Sequence, residues 1–107
     1  MEIIAELGST WYSPDQDQAW KNLVSAAERI AGLGATAIKI QVFEADKLYS
    51  SSRAHSLLNL VKPYEFPLGW LRPLFDHVHE LGLELWASVF SPELVAPVSE
   101  FVDGLKL

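Results

Sequence analysis

The sequence predicts an α/β fold with parallel strands and, within that class, the first half of a (β/α)8 TIM barrel. Three observations carry this expectation. Short apolar runs alternate with amphipathic stretches in the order βαβαβαβ, as in a parallel sheet wrapped by helices. The stretches GLGATAIKI and ELGLELWAS repeat one helix–Leu–Gly–strand junction, a weak internal repeat at βα spacing. The run AIKIQVF at 37–43 places Lys39 and Gln41 inside an otherwise core-like strand. A period of two puts these two on one face and Ile38, Ile40 and Val42 on the other. A small open doubly wound sheet also fits the alternation, but helices on both of its faces leave Lys39 and Gln41 little use. A barrel has a place for them, because its inward face near the top is the wall of a pocket.

The elements follow in order. EIIAELG reads as a first strand ending in Glu6 and Gly8. SPDQ then offers Ser13 as N-cap, Pro14 at the first helical position and Gln16 three residues after the cap. The helix it opens carries Trp20, Leu23, Val24, Ala27, Ile30 and Ala31 at helical spacing and stops at 32–34. TAIKIQVF is the second strand. A long polar stretch over 44–67 follows, with SSSR, two prolines and a short helical piece expected at 55–61. A connection of that length in a compact unit is more often functional than accidental. The spacing then predicts a helix over 70–81, with Pro73 tolerable only in its first turn. GLELWASVF is the third strand, SPELV a second Ser-Pro helix start, and GLKL the fourth strand.

Composition bounds the function. The 107 residues suffice for one small domain, of which half are hydrophobic and 21% charged, an ordinary globular balance. A formal charge of −6 with eight scattered basic residues argues against a nucleic-acid surface. The absence of cysteine rules out disulfides, thiolate metal sites and cysteine nucleophiles. With no signal-like start and no apolar run of about 20 residues, a non-membrane, cytoplasmic protein is expected. The ending VDGLKL reads as a turn and the opening of a strand without a polar tail, so a cut through a larger fold is expected.

In a parallel α/β fold, ligands sit at the C-terminal ends of the strands. Chemistry-capable residues fall there repeatedly: Glu6 on strand one, Lys39 and Gln41 on strand two, Ser88 on strand three and Lys106 on strand four. Two lysines with a nearby hydroxyl suit a carboxylate or phosphate ligand, and Glu6 suits hydroxyl groups or a metal-bound water. The plainer alternative is a structural Lys39–Glu6 pair inside a barrel. His77 and His79, two apart on a helix, point to different faces and make poor metal ligands. Trp11, Tyr12 and Trp86 are as readily core as pocket lining. Arg53 could reach a phosphate, although a solvated loop residue is the better expectation, and no phosphate-cradling glycine pattern is present.

Taken together, IIAELG, AIKIQVFEADKLYS, LGLELWASVFS and GLKL resemble, in order and spacing, the N-terminal half of the sialic acid synthase family. The most specific piece is K-x-Q-x-F-x-A-D-K-L at 39–48. The resemblance implies a (β/α)8 barrel that condenses phosphoenolpyruvate with N-acetylmannosamine or a related amino sugar to a nonulosonic acid. It implies that Lys39 and Lys106 bind the phosphoenolpyruvate carboxylate and phosphate. Ser88 stands where the family usually has a threonine in the same role, and Gln41 and Glu6 would meet the acceptor's hydroxyls and aldehyde end. A divalent metal, manganese or magnesium, is implied too, held by histidines from the second half of the barrel. A homodimer is a further expectation, apart from the resemblance.

Two departures bear on the acceptor. After E-L-G the family usually shows Asn-His and then a glycine, whereas this chain has Ser9, Thr10, Trp11, Tyr12 and Ser13. A bulky Trp11 there is expected to reshape the sugar pocket. The family's Ser-Thr-Pro-Phe is Ala87, Ser88, Val89, Phe90. Two other functions stay open from the residues: a non-catalytic half-barrel that pairs with itself or another chain, and an aldolase using Lys39 as a Schiff base. The isolated 107 residues are expected to be inactive, because half a barrel has open strand edges and lacks the metal ligands.

Overall fold

A computed structural model gives the fold of residues 2–43 and 62–107. Arg53, the expected helical piece at 55–61 and the loop up to residue 61 lie outside the described residues. The elements are β1 (Ile4–Glu6), α1 (Gln16–Gly32), β2 (Ala37–Val42), α2 (Leu71–Glu80), β3 (Glu84–Val89), α3 (Val95–Ser99) and β4 (Gly104–Lys106). Short 3-10 turns at Lys62–Tyr64, Leu68–Trp70 and Pro92–Leu94 precede or lead into the later helices.

Among the described residues the four strands form one parallel sheet in the order β1-β2-β3-β4. This order decides between the two predicted architectures. A doubly wound sheet reverses direction at its first strand, so its spatial order is not the chain order. Here every strand lies beside its predecessor, and right-handed crossovers then place all the helices on one side. The sheet is a four-strand wall of a (β/α) barrel.

The core lies between that wall and the helices. Ile38, Ile40 and Val42 of β2 and Leu85, Ala87 and Val89 of β3 alternate toward it, with Leu23 and Ala27 of α1, Leu74 and Val78 of α2 and Val98 of α3 opposite. The intervening residues of both strands, Lys39, Gln41, Trp86 and Ser88, are only half-buried. The two faces of the sheet are thus chemically separate, as the alternation in AIKIQVF predicts.

The junctions show why the Leu-Gly repeat exists. Gly34 and Gly82 follow α1 and α2 with φ of +87° and +79°, left-handed values that glycine adopts at little cost. After α2 the Gly82 N–H donates to the His79 carbonyl at 3.0 Å and the Leu83 N–H to Val78 at 3.1 Å, the paired bonds of a Schellman ending. Buried Leu83 then leads into β3.

One helix start differs from its prediction. Asp15, not Ser13, caps α1: its Oδ1 accepts from the Asp17 N–H at 3.0 Å and the Gln18 N–H at 3.4 Å, while Ser13 Oγ accepts from the Asp15 N–H. A carboxylate is the stronger acceptor at the positive end of a helix, so the cap moves two residues along. Ser91 does precede the 3-10 turn at Pro92–Leu94, but its hydroxyl makes no capping bond.

Candidate functional site

Strand register builds the site. Glu6, Lys39, Trp86 and Gly104 are consecutive partners across the four strands, and one pleat higher Gln41, Ser88 and Lys106 are partners across three. Each row lies on the half-buried face, away from the core. All five residues singled out in the sequence, Glu6, Lys39, Gln41, Ser88 and Lys106, line one cavity of about 260 Å³ at the C-terminal ends of the strands.

Glu6 organises the β1–β2 side. Its Oε1 accepts a hydrogen bond from Gln41 Nε2 at 3.1 Å, and its Oε2 lies 3.8 Å from Lys39 Nζ. The Lys39–Glu6 pair anticipated as a structural alternative is therefore present. It is a loose pair: the Lys39 side chain is 17% exposed and that of Glu6 49%. Half-exposed pairs of this kind contribute about 0.2–1 kcal/mol. That is too little to account for placing three polar side chains on a barrel wall, and little enough for a ligand anion to compete for Lys39. On the other side, among the described residues, Ser88 Oγ and Lys106 Nζ form no hydrogen bond or ion pair. The cavity therefore has an acid–amide side and a cation–hydroxyl side, with Lys39 between them.

Phe90 also lines the cavity, half exposed, and its ring meets Phe43 edge-on at 6.5 Å between centroids. Sequence reasoning assigned Phe90 no part in the site. The available signal was that Phe43 and Phe90 each follow the last residue of a strand, Val42 and Val89, which are themselves register partners.

Other candidates fall elsewhere. Trp11, expected to reshape a sugar pocket, is not among the residues that line this cavity. It is 5% exposed and packs edge-on against Phe66 and Trp70 at 5.9 and 5.7 Å, with its Nε1 donating to the Gly8 carbonyl at 3.1 Å. An apolar indole gains more from that aromatic cluster than from a polar rim. Tyr12 packs on Tyr64 at 4.6 Å in the same cluster. His77 lies 3.6 Å from Glu28, and His79 is bonded to Asp103 at 2.7 Å while stacked on Phe75, so the two histidines face different neighbours as their spacing predicts. Asp103 also accepts from the Leu85 N–H at 2.8 Å, which fastens the start of β3 to the turn before β4. A larger concavity of about 490 Å³ lies on the helical layer near Trp20, Lys21, Trp70 and Pro73, without any strand-end residue.

Among the described residues no three His, Cys, Asp or Glu side chains gather as a metal site, and Glu6 already has both oxygens engaged. These residues do not themselves make a divalent-metal centre. Among them, too, no helix is long and apolar enough to cross a membrane.

Comparison with known proteins agrees with the geometry. The chain is 34% identical over 87 residues to the spore coat polysaccharide biosynthesis protein SpsE of Bacillus subtilis, covering 73% of this chain and 22% of that protein. It superposes on the crystal structure of SpsE with a TM-score of 0.63 at 31% identity, over 92% of this chain and 27% of the other. The N-acetylneuraminic acid (sialic acid) synthetase of Leptospira borgpetersenii shares its fold, with a TM-score of 0.81 at 24% identity, over 98% of this chain and 35% of the other. The chain thus spans between about a fifth and about a third of the length of these relatives. The NeuB family model matches residues 23–106, a span that takes in Lys39, Gln41, Ser88 and Lys106, and the chain belongs to the NeuB family of sialic-acid-type synthases.

Proposed function

We propose that this chain supplies the anion-binding wall of an enzyme that condenses phosphoenolpyruvate with an N-acylated hexosamine, N-acetylmannosamine or a relative, to a nonulosonic acid. The observation that carries the reading is the convergence of Lys39, Ser88 and Lys106 on the cavity that Glu6 and Gln41 also line. Two ammonium groups and a hydroxyl match the carboxylate and phosphate of the donor, and strengthen as charge builds on the departing phosphate. Glu6 and Gln41, already bonded to each other, present an acceptor and a donor to the sugar's hydroxyls and its aldehyde end. Held side by side, the enol carbon of the donor attacks the aldehyde carbon, whose oxygen becomes a hydroxyl. Water adds at the enol-phosphate carbon, and the C–O bond to phosphate breaks with its electrons going to phosphate. The two protons water gives up on becoming the keto oxygen balance the new hydroxyl and the leaving phosphate. Orientation of the two substrates is the wall's main contribution.

The divalent metal, manganese or magnesium, is proposed with ligands from outside the described residues, and a cytoplasmic enzyme, possibly a homodimer, is proposed to accompany it. The test uses the full-length protein with phosphoenolpyruvate, manganese and a panel of N-acylhexosamines, following phosphate release. Turnover is expected for the wild type, with kcat/KM for phosphoenolpyruvate reduced about a hundredfold or more in Lys39→Met and Lys106→Met. Absence of phosphate release across the panel would overturn the proposal. Borohydride trapping of pyruvate on Lys39 would instead favour an aldolase.

A further inference from the structure

Trp86 belongs to the strand row that carries Glu6 and Lys39, yet the cavity is lined without it. Its place is set by the next strand. A Cβ built on Gly104 would lie 2.3–2.5 Å from Cδ2, Cε3 and Cε2 of the Trp86 indole. The fused ring system therefore occupies the volume a side chain at 104 would need, and Gly104 is required for that reason: its φ is not in the left-handed region. One indole thus fills two positions of the barrel's inner layer, its own and that of its register partner.

The indole is also oriented. Its Nε1 donates to Glu84 Oε1 at 3.2 Å, and Glu84, two residues back on the same strand face, is the first residue of β3, at the end opposite the cavity. The polar edge is thereby tied toward the start of β3, and the hydrocarbon part lies over Gly104 of β4. Lys39 stands beside it in register, about 4.8 Å away across the sheet, and Ser88 and Lys106 stand one pleat above Trp86 and Gly104. Lys39 and Gln41 share β2 and Glu6 lies beyond them on β1, so Lys39 is the site residue directly beside Trp86 and Ser88 and Lys106 are those directly above Trp86 and Gly104. An ion–anion contact weakens as its surroundings become wetter, so a flat apolar ring beside Lys39 and one pleat below Ser88 and Lys106 bears on how firmly the ammonium groups hold an anion.

We infer that Trp86, seated in the space left by Gly104, is a positioning residue that holds Lys39 and Lys106 at the level of an anionic donor, and has little to do with the acceptor. The inference rests on the function proposed above and adds a specificity within that site. The experiment measures KM for phosphoenolpyruvate and for the amino sugar separately, in full-length wild type, Trp86→Phe, Trp86→Leu and the double variant Trp86→Leu/Gly104→Ala. Donor KM is expected to rise about tenfold in Trp86→Leu and at least about threefold in Trp86→Phe, with acceptor KM within about twofold. The double variant, which returns a methyl group to the vacated volume, is expected to recover thermal stability without recovering donor KM. A merely structural tryptophan would move both KM values together or neither, and either result overturns the inference. Should Trp86→Leu fail to fold, Trp86→Phe decides alone by the same criterion. A wild type that saturates with phosphoenolpyruvate while the variants saturate equally well removes this inference only, whereas a wild type that does not bind it removes the parent reading as well.

Discussion

Glu6 is the residue at which structure and chemistry are hardest to separate, since its two oxygens serve Gln41 at 3.1 Å and Lys39 at 3.8 Å. Magnitudes part the two roles. The ion pair is half exposed and stabilises the fold by less than about 1 kcal/mol, while the carboxylate is the sole acid lining the cavity among the described residues. Glu6→Gln keeps an acceptor for Gln41 and removes the charge. Its melting temperature in the full-length protein is expected to stay within about 3 °C of wild type, while kcat/KM for the amino sugar falls at least about tenfold. A large thermal loss with unchanged acceptor kinetics would return Glu6 to a structural role. At this scale the site was legible in sequence because a polar residue on a strand that is otherwise core has few reasons to be there. Trp86 was not legible in the same way. Its meaning depends on Gly104 lying opposite, and register between strands separated by a helix is not written in local spacing. The packing of Trp11 was not legible for the related reason that its partners, Phe66 and Trp70, lie more than fifty residues away.

The helix–strand junctions carry the next level. Gly34 and Gly82 share left-handed φ values, and a Cβ at either would meet no atom within 4 Å. Replacement by alanine therefore costs only backbone strain, about 1–2 kcal/mol each. Gly104→Ala differs in kind, because its added methyl meets the Trp86 ring and has no room until that ring moves. Chemical denaturation of the full-length protein is expected to show small, similar losses for Gly34→Ala and Gly82→Ala, and a larger one for Gly104→Ala. Equal losses at all three would mean the indole yields freely. The two Leu-Gly junctions could be read in sequence because a C-terminal glycine is a local signal. The cap of α1 was misplaced by two residues, since Ser13 and Asp15 both satisfy the local rule and only the relative strength of their oxygens separates them.

For the whole molecule, the decisive fact is that one face of the sheet has helices and the other does not. The helix-covered face buries Ile38, Ile40 and Val42 to within 1% exposure, whereas the opposite face and the strand ends leave Ile4 40% and Phe90 51% exposed. Among the described residues, β1 and β4 each pair on one side only, which leaves rows of backbone donors and acceptors ready to pair with other chains. A polypeptide of residues 1–107 alone therefore has two competing ways to satisfy itself. It can meet a second copy edge to edge, closing a barrel of eight strands, or stack through its apolar rim without closure. Closure by a copy would place a second Lys39–Lys106 set across the same lumen, and with only one Glu6 carboxylate to two ammonium groups in each set, the facing surplus of positive charge repels without a ligand. Open association is the expected result: size-exclusion chromatography with light scattering should show species broader and larger than a dimer. The same material, given phosphoenolpyruvate, manganese and an N-acylhexosamine, should release no phosphate. A sharp dimer would instead support a self-pairing half-barrel, and turnover by it would show that four strands and their copy complete a working site. Added phosphate or phosphoenolpyruvate offers a further discrimination, since an anion that neutralises the facing lysines should shift the population toward the dimer if the two lumens can meet at all.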